Sequence, residues 1–198
     1  MTFRVALTFD AEHADRPHRV GGTERVLERL DAERVPASFF IQGRWAEAYP
    51  SLARSIAERG HLIGNHSFYH ARMPLLSPSG LAADVRAAER AIRATTGVDP
   101  RPWFRCPFKA GFDHPKVQAG IERLGYREVS WDVEGYDWRP STRARGMARQ
   151  MTRDAIAHGD GAVLLLHPWT AATERGLAPL LDGLREAGAT FVRVDEVA

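Results

Sequence analysis

Asp10 and Glu12 close the apolar stretch FRVALTF, His66 closes HLIGN, Arg105 follows PWF, Asp137 comes shortly after YREVSW, and His167 ends AVLLL. Strands buried on both faces read as unbroken apolar runs, and in parallel sheets their C-terminal ends face the crevice where ligands bind. Five strand ends that each deliver an ionisable group predict one pocket that collects them. HSFYH places His66 and His70 four apart, which on a helical turn puts both imidazoles on one face, able to hold one metal ion. Cys106 is the only cysteine, so the third ligand must be an oxygen, and DAE offers Asp10 and Glu12. Two His and one carboxylate, with a position left for water, make a catalytic zinc set. Hydrolysis at such a set needs a base and an acid. His167 suits the acid role, and Arg105 can pair with Asp10 and keep it ionised. Trp138 offers an apolar wall on which a sugar ring could stack. Cys106 has no orienting partners visible in sequence, which argues against a thiol nucleophile.

The elements that must position these groups alternate as in an α/β protein. Strands are expected at 3–9, 37–41 and HLIGN, then in PWFR, YREVSWDV, GAVLLLH and TFVRVDEV. Helices are expected after Thr23 as a cap, over 49–58 ending before Gly60, over 81–95, and over 177–187. Repeated βα units point to a barrel or a doubly wound sheet. With 198 residues against about 250 for a complete eight-stranded barrel, a distorted, incomplete (β/α) barrel fits better.

At 44% hydrophobic residues, the chain is expected to form a single domain over 1–198. Its net charge is +2, the only lysines are Lys109 and Lys116, and the arginines are scattered, which argues against a nucleic-acid partner. No long apolar span or basic leader is visible, so neither a membrane partner nor export is expected. The sequence reads as cytoplasmic, or extracytoplasmic if a leader has been removed.

Five motifs in order, LTFD, HSFYH, FRCPF, WDVEGYDW and LLLH, resemble the polysaccharide deacetylase family, the NodB-homology domain of carbohydrate esterase family four. They correspond to its T-F-D, H-[ST]-x-x-H, R-x-P-[YF], D-x-x-D-W (with Glu134 in the place of the first Asp) and L-x-H and span nearly the whole chain. The resemblance implies a distorted, incomplete (β/α) barrel and a metal-dependent hydrolase of acetylated carbohydrates. It further implies Asp10 as general base held by Arg105, and His66 and His70 as metal ligands. The backbone N–H of Phe108 would belong to the oxyanion hole, His167 would be a general acid tuned by Asp137, and Trp138 and Leu165 would line the acetyl pocket. The expected ion is Zn2+, with Co2+ or Ni2+ as alternatives. The family's usual T-F-D-D places a metal-binding Asp where this chain has Ala11, which cannot ligate. Members that read D-x-D or D-x-E move the ligand one residue along, which assigns the role to Glu12, with His13 and Asp15 as substitutes. Two other readings are a metal-independent hydrolase of cyclic amides such as allantoin and a non-catalytic carbohydrate-binding protein. His66 and His70 argue against the first; Asp10, Arg105 and His167 argue against the second.

Overall fold

The computed structural model describes residues 2–15 and 21–198. They fall into two compact units, one of residues 2–9, 21–38 and 131–198 and the other of 10–15 and 39–130.

In the first unit, β1 (Phe3–Ala11) pairs in parallel with β7 (Ala162–Leu166) in the register Val5 to Ala162 through Phe9 to Leu166. β7 in turn pairs with β6 (Val133–Glu134), and β8 (Ala189–Val192) lies along Phe3 to Ala6 of β1. All five residues of β7 are buried, which is why AVLLL shows no polar alternation. Around these strands are α1 (Gly22–Ala32), α6 (Ala144–His158) and α7 (Ala171–Glu186). The cap of α1 is Gly21 at φ 73°, not Thr23, which is buried inside the helix and donates to the Pro168 carbonyl at 3.4 Å. Gly176 lets α7 approach α6: a Cβ there would stand 2.6 Å from the Met147 methyl and 3.0 Å from the Ala144 carbonyl.

The second unit contains β3 (Leu62–Asn65), β4 (Trp103–Phe104) and β5 (Arg127–Glu128), again parallel, with Asn65 opposite Phe104 and Phe104 opposite Glu128. β2 (Ser38–Ile41) leads into it. The expected helix over 49–58 is α3 (Pro50–Glu58), and a further short helix, α2 (Gly43–Ala48), precedes it, kept separate because Pro50 cannot continue α2 and instead starts α3. Gly60, at φ 76°, follows α3 as expected of a C′ glycine. α4 (Pro78–Thr96) and α5 (Pro115–Glu122) complete the unit, and Leu81, Val85, Phe104, Val117, Ile121 and Tyr126 form its core. YREVSWDV is not one strand. It breaks into β5 and β6 because the carbonyls of Val129 and Ser130 turn to accept the guanidinium of Arg105. Among the described residues no helix is long and apolar enough to cross a membrane.

Candidate functional site

β1 runs two residues further than the apolar pattern indicates, so Asp10 and Ala11 are its last residues and Glu12 is the first beyond it. All three side chains are buried. The chain then turns sharply, with His13 at φ 60°. Gln42 fixes this turn from both sides: its N–H donates to the Ala11 carbonyl at 3.0 Å, and its side-chain oxygen accepts the His13 N–H at 3.0 Å.

His66 follows β3 directly and is 1% exposed. HSFYH is not the helical turn that its spacing suggests. It is a loop with Ser67 at φ 66° and His70 at φ 57°. Asp84 of α4, sixteen residues on, accepts the N–H groups of Phe68 at 2.9 Å and Tyr69 at 3.0 Å, while the Ser67 hydroxyl accepts that of His70 at 3.1 Å. Gly43 lets this loop lie close, since a Cβ there would stand 2.4 Å from the Phe68 ring and 2.8 Å from the Ala88 Cα. The two imidazoles still converge, with ring centroids 5.1 Å apart.

Their target is the Glu12 carboxylate. His66 Nε2 is 3.1 Å from Glu12 Oε2 and 3.6 Å from Asp10 Oδ2, and His70 Nε2 lies against the same Glu12 oxygen. One ligand atom from each of Glu12, His66 and His70 lies within 4.8 Å of the others. The Nδ1 of His66 is 2.8 Å from the Arg105 carbonyl, which can only accept, so Nδ1 carries the proton and Nε2 turns a lone pair inward. His70 Nε2 is buried and makes no hydrogen bond of proper geometry despite touching Glu12. Lone pairs of two imidazoles and a carboxylate facing one another call for a shared proton or cation, and this donor set fits a divalent metal ion. Without such an ion, burial lowers the His66 pKa, but the Asp10 and Glu12 charges outweigh it and raise it. For His70 burial prevails over Glu12, and its pKa is lowered.

Arg105 follows β4 and is wholly buried. It donates from Nη1 to Asp10 Oδ1 at 2.9 Å, from Nε to the Val129 carbonyl at 2.9 Å and from Nη2 to the Ser130 carbonyl at 3.2 Å. The Phe40 ring lies 4.0 Å beneath the guanidinium. This is a buried, hydrogen-bonded pair rather than a surface ion pair. Beyond it, Phe108 and Lys109 lie in the left-handed region at φ 58° and 57°. The Phe108 ring is half-exposed and packs 4.4 Å from the His70 ring. Cys106 is buried, and burial followed by the Glu128 charge pushes its thiol pKa far up, so it has no nucleophilic character.

In the first unit, Asp137 follows β6 and His167 follows β7. Asp137 Oδ1 accepts His167 Nδ1–H at 2.7 Å, and Oδ2 accepts the His167 N–H at 2.7 Å and the Thr170 hydroxyl at 2.9 Å. The Thr173 hydroxyl donates to the same oxygen. Burial alone would raise the Asp137 pKa, but the His167 charge and these donors overcome it and hold the carboxyl below its ordinary value. The Trp169 ring meets His167 edge-on at 5.7 Å. Trp138 is 45% exposed, and its Nε1 donates to Glu134 at 3.1 Å. It lines a cavity of about 320 Å³ with Asp137, Arg139, Thr142, Trp169 and Thr170. Leu165 is buried in β7.

Sequence reasoning named the groups with chemistry but missed those that hold them: Gln42, Asp84, Thr170 and Thr173. Only Thr170 carries a local signal, since it caps α7 by accepting the Thr173 N–H at 3.1 Å, an S/T-x-x-T pattern before an apolar helix.

A family model for polysaccharide deacetylase matches residues 2–129. The chain belongs to the polysaccharide deacetylase family. It is 28% identical over 193 residues to the peptidoglycan-N-acetylmuramic acid deacetylase PdaA of Bacillus subtilis, covering 98% of this chain and 70% of that one. Among solved structures, the T48 deacetylase with substrate superposes with a TM-score of 0.83 at 31% identity, over 99% of this chain and 90% of that one. BA3943 of Bacillus anthracis, a carbohydrate esterase family 4 pseudoenzyme, superposes with a TM-score of 0.87 at 26% identity, over 99% of this chain and 65% of its own. The expected fold class, the family's α/β fold with an incomplete (β/α) barrel, is shown by these likenesses.

Proposed function

We propose that this chain removes acetyl groups from N-acetylated glycans by metal-dependent hydrolysis. The observation that carries this reading is the convergence of Glu12 Oε2, His66 Nε2 and His70 Nε2 beside an Asp10 already fixed by Arg105. Glu12, His66 and His70 would hold the ion, with zinc the best match to two imidazoles and a carboxylate and Co2+ or Ni2+ the alternatives. A bound divalent ion would polarise the acetyl carbonyl and lower the pKa of water at the site.

The chain's own groups do the remaining work. Asp10, held in place by Arg105, takes a proton from the attacking water. The backbone N–H of Phe108 donates to the acetyl oxygen as negative charge develops there. His167 gives a proton to the leaving amine nitrogen from Nε2, because Asp137 holds the other ring nitrogen and sets the tautomer. Trp138 and Leu165 receive the acetyl methyl. The products are acetate and a free amine. PdaA's name gives peptidoglycan N-acetylmuramic acid as that relative's substrate, which makes peptidoglycan fragments the first glycans to try, with chitin oligomers second.

Ala11 and the likeness to a family pseudoenzyme favour one competing reading, a glycan-binding protein without turnover. Acetate release decides between them. Catalysis that is abolished by a chelator, restored by zinc and lost in Asp10→Asn with its metal retained supports the deacetylase. Glycan binding with no acetate release by zinc-loaded protein overturns it.

A further inference from the structure

We infer that His13 and Gln42 are positioning residues that let Glu12 stand in for the family's missing aspartate by presenting only one of its two oxygens to the ion. This rests on the proposed Glu12, His66 and His70 set. The geometry divides the Glu12 carboxylate between two tasks. Oε2 meets both His66 Nε2 and His70 Nε2, while Oε1 is 2.9 Å from His13 Nε2. A carboxylate with one oxygen engaged by an N–H binds a metal through the other, which keeps coordination number low and leaves a position open.

His13 reaches Oε1 only because the backbone folds back at φ 60°, a conformation that costs a non-glycine residue stability and persists when its surroundings impose it. Gln42 imposes it. One residue grips Ala11 through its N–H and His13 through its side-chain oxygen, spanning Glu12. Gln42 is itself fixed as the N-cap of α2, and it is 4% exposed. The His13 ring also stands edge-on to His70 with centroids 4.9 Å apart, so the Glu12 and His70 side chains are steered by one neighbour. Glutamate is one methylene longer than aspartate and has one more torsion to restrain. The turn and the His13 contact supply that restraint, explaining how a displaced carboxylate arrives at the same two histidines.

The test is zinc affinity of the full chain, measured by competition with a chromogenic chelator, together with the visible spectrum of the Co2+-loaded protein. His13→Ala should weaken zinc binding about 10- to 100-fold, the usual effect of removing a group that orients a ligand. Its metal-free melting temperature should hold. His13→Gln, whose amide can donate to Oε1, should recover most of the affinity, and Gln42→Glu, which keeps the acceptor for the His13 N–H, should lose less than Gln42→Ala. The Co2+ spectrum of His13→Ala should shift as Glu12 is released to bind through both oxygens. Zinc affinity in His13→Ala within about twofold of the native chain, or an equal loss in His13→Gln, overturns the inference. Glu12→Ala is the control that separates the two claims: if it binds zinc at native affinity, the ligand set itself is wrong, whereas a loss there beside native affinity in His13→Ala rejects only the positioning role.

Discussion

Glu12 and Asp137 are both buried carboxylates beside a histidine that follows a strand, yet their surroundings are opposite in kind. Asp137 is complete: its two oxygens take four donors, from the His167 ring and backbone and the Thr170 and Thr173 hydroxyls. Glu12 Oε2 instead faces two imidazole nitrogens, one of which is forced by the Arg105 carbonyl to present a lone pair. A closed network holds a side chain in place, while an assembly of acceptors waits for a cation. The first arrangement suits a histidine that must keep one tautomer through a reaction, and the second suits a metal site.

The largest expected effect sharpens the closed side of this contrast. Asp137→Ala strands the His167 ring N–H and two threonine hydroxyls, so it should cost about 3–5 kcal/mol of stability whether or not zinc is present. Urea unfolding with zinc and with chelator checks this. An equal loss in both conditions is expected, and a loss that appears only with zinc would join the two sites and break the contrast.

Zinc itself should act only through the open set. At a free concentration one hundred times its dissociation constant it should stabilise the native chain by about 2.7 kcal/mol, and most of that gain should vanish in Glu12→Ala. Without metal, Glu12→Ala should cost stability below the folded His66 pKa, where the Glu12 charge supports the His66 cation, and little above it. Melting curves with and without zinc measure both.

Opposite pH signatures should follow. The Asp137 pKa is lowered on folding, so its contribution is present above the ordinary carboxylate range and is lost as pH falls through its depressed folded value. The His66 pKa is raised in the metal-free chain, so its contribution is complete below about 6.5 and is lost as pH rises through the folded value. Metal-free stability against pH should thus fall at the acid end in the native chain but less so in Asp137→Asn. The decline on the alkaline side should be blunted in Glu12→Ala. His61, buried against Phe39, adds a separate acid-side loss: burial and then Arg59 lower its pKa to about 4, so stability should drop between about pH 6.5 and 4 and His61→Phe should remove that part.

The smallest effect concerns Cys106. Burial raises its thiol pKa, so a thiol reagent should label the folded chain only as fast as it opens, and Cys106→Ala should leave acetate release unchanged.

The difference between the two carboxylates also shows what sequence carries. AVLLL, the body of β1 and the order of LTFD, HSFYH, FRCPF, WDVEGYDW and LLLH were legible because burial on both faces erases polar alternation and strand ends take a fixed place in the chain. The HSFYH loop was not, because its backbone donors go to Asp84 in a helix sixteen residues on, a tertiary contact that overrides helical spacing. The break in YREVSWDV depends on Arg105, more than twenty residues upstream. α6 was hidden by its composition: its buried Met147, Ala148, Met151 and Ala155 are small or unbranched and share the helix with seven polar or charged residues, among them Arg145, Arg149 and Arg153. Gln42 and His13 are single polar residues whose meaning appears only when the turn at Glu12 is seen.

The central claim, that an open carboxylate and two histidines form a metal centre with Glu12 in the place of a missing aspartate, is tested most directly by a crystal structure of the zinc-loaded chain. The expected result is one ion with an oxygen of Glu12 at about 2.0–2.2 Å and nitrogens of His66 and His70 at about 2.0–2.1 Å. A zinc ion completed by Asp10, His13 or Asp15, with Glu12 turned away, would contradict it.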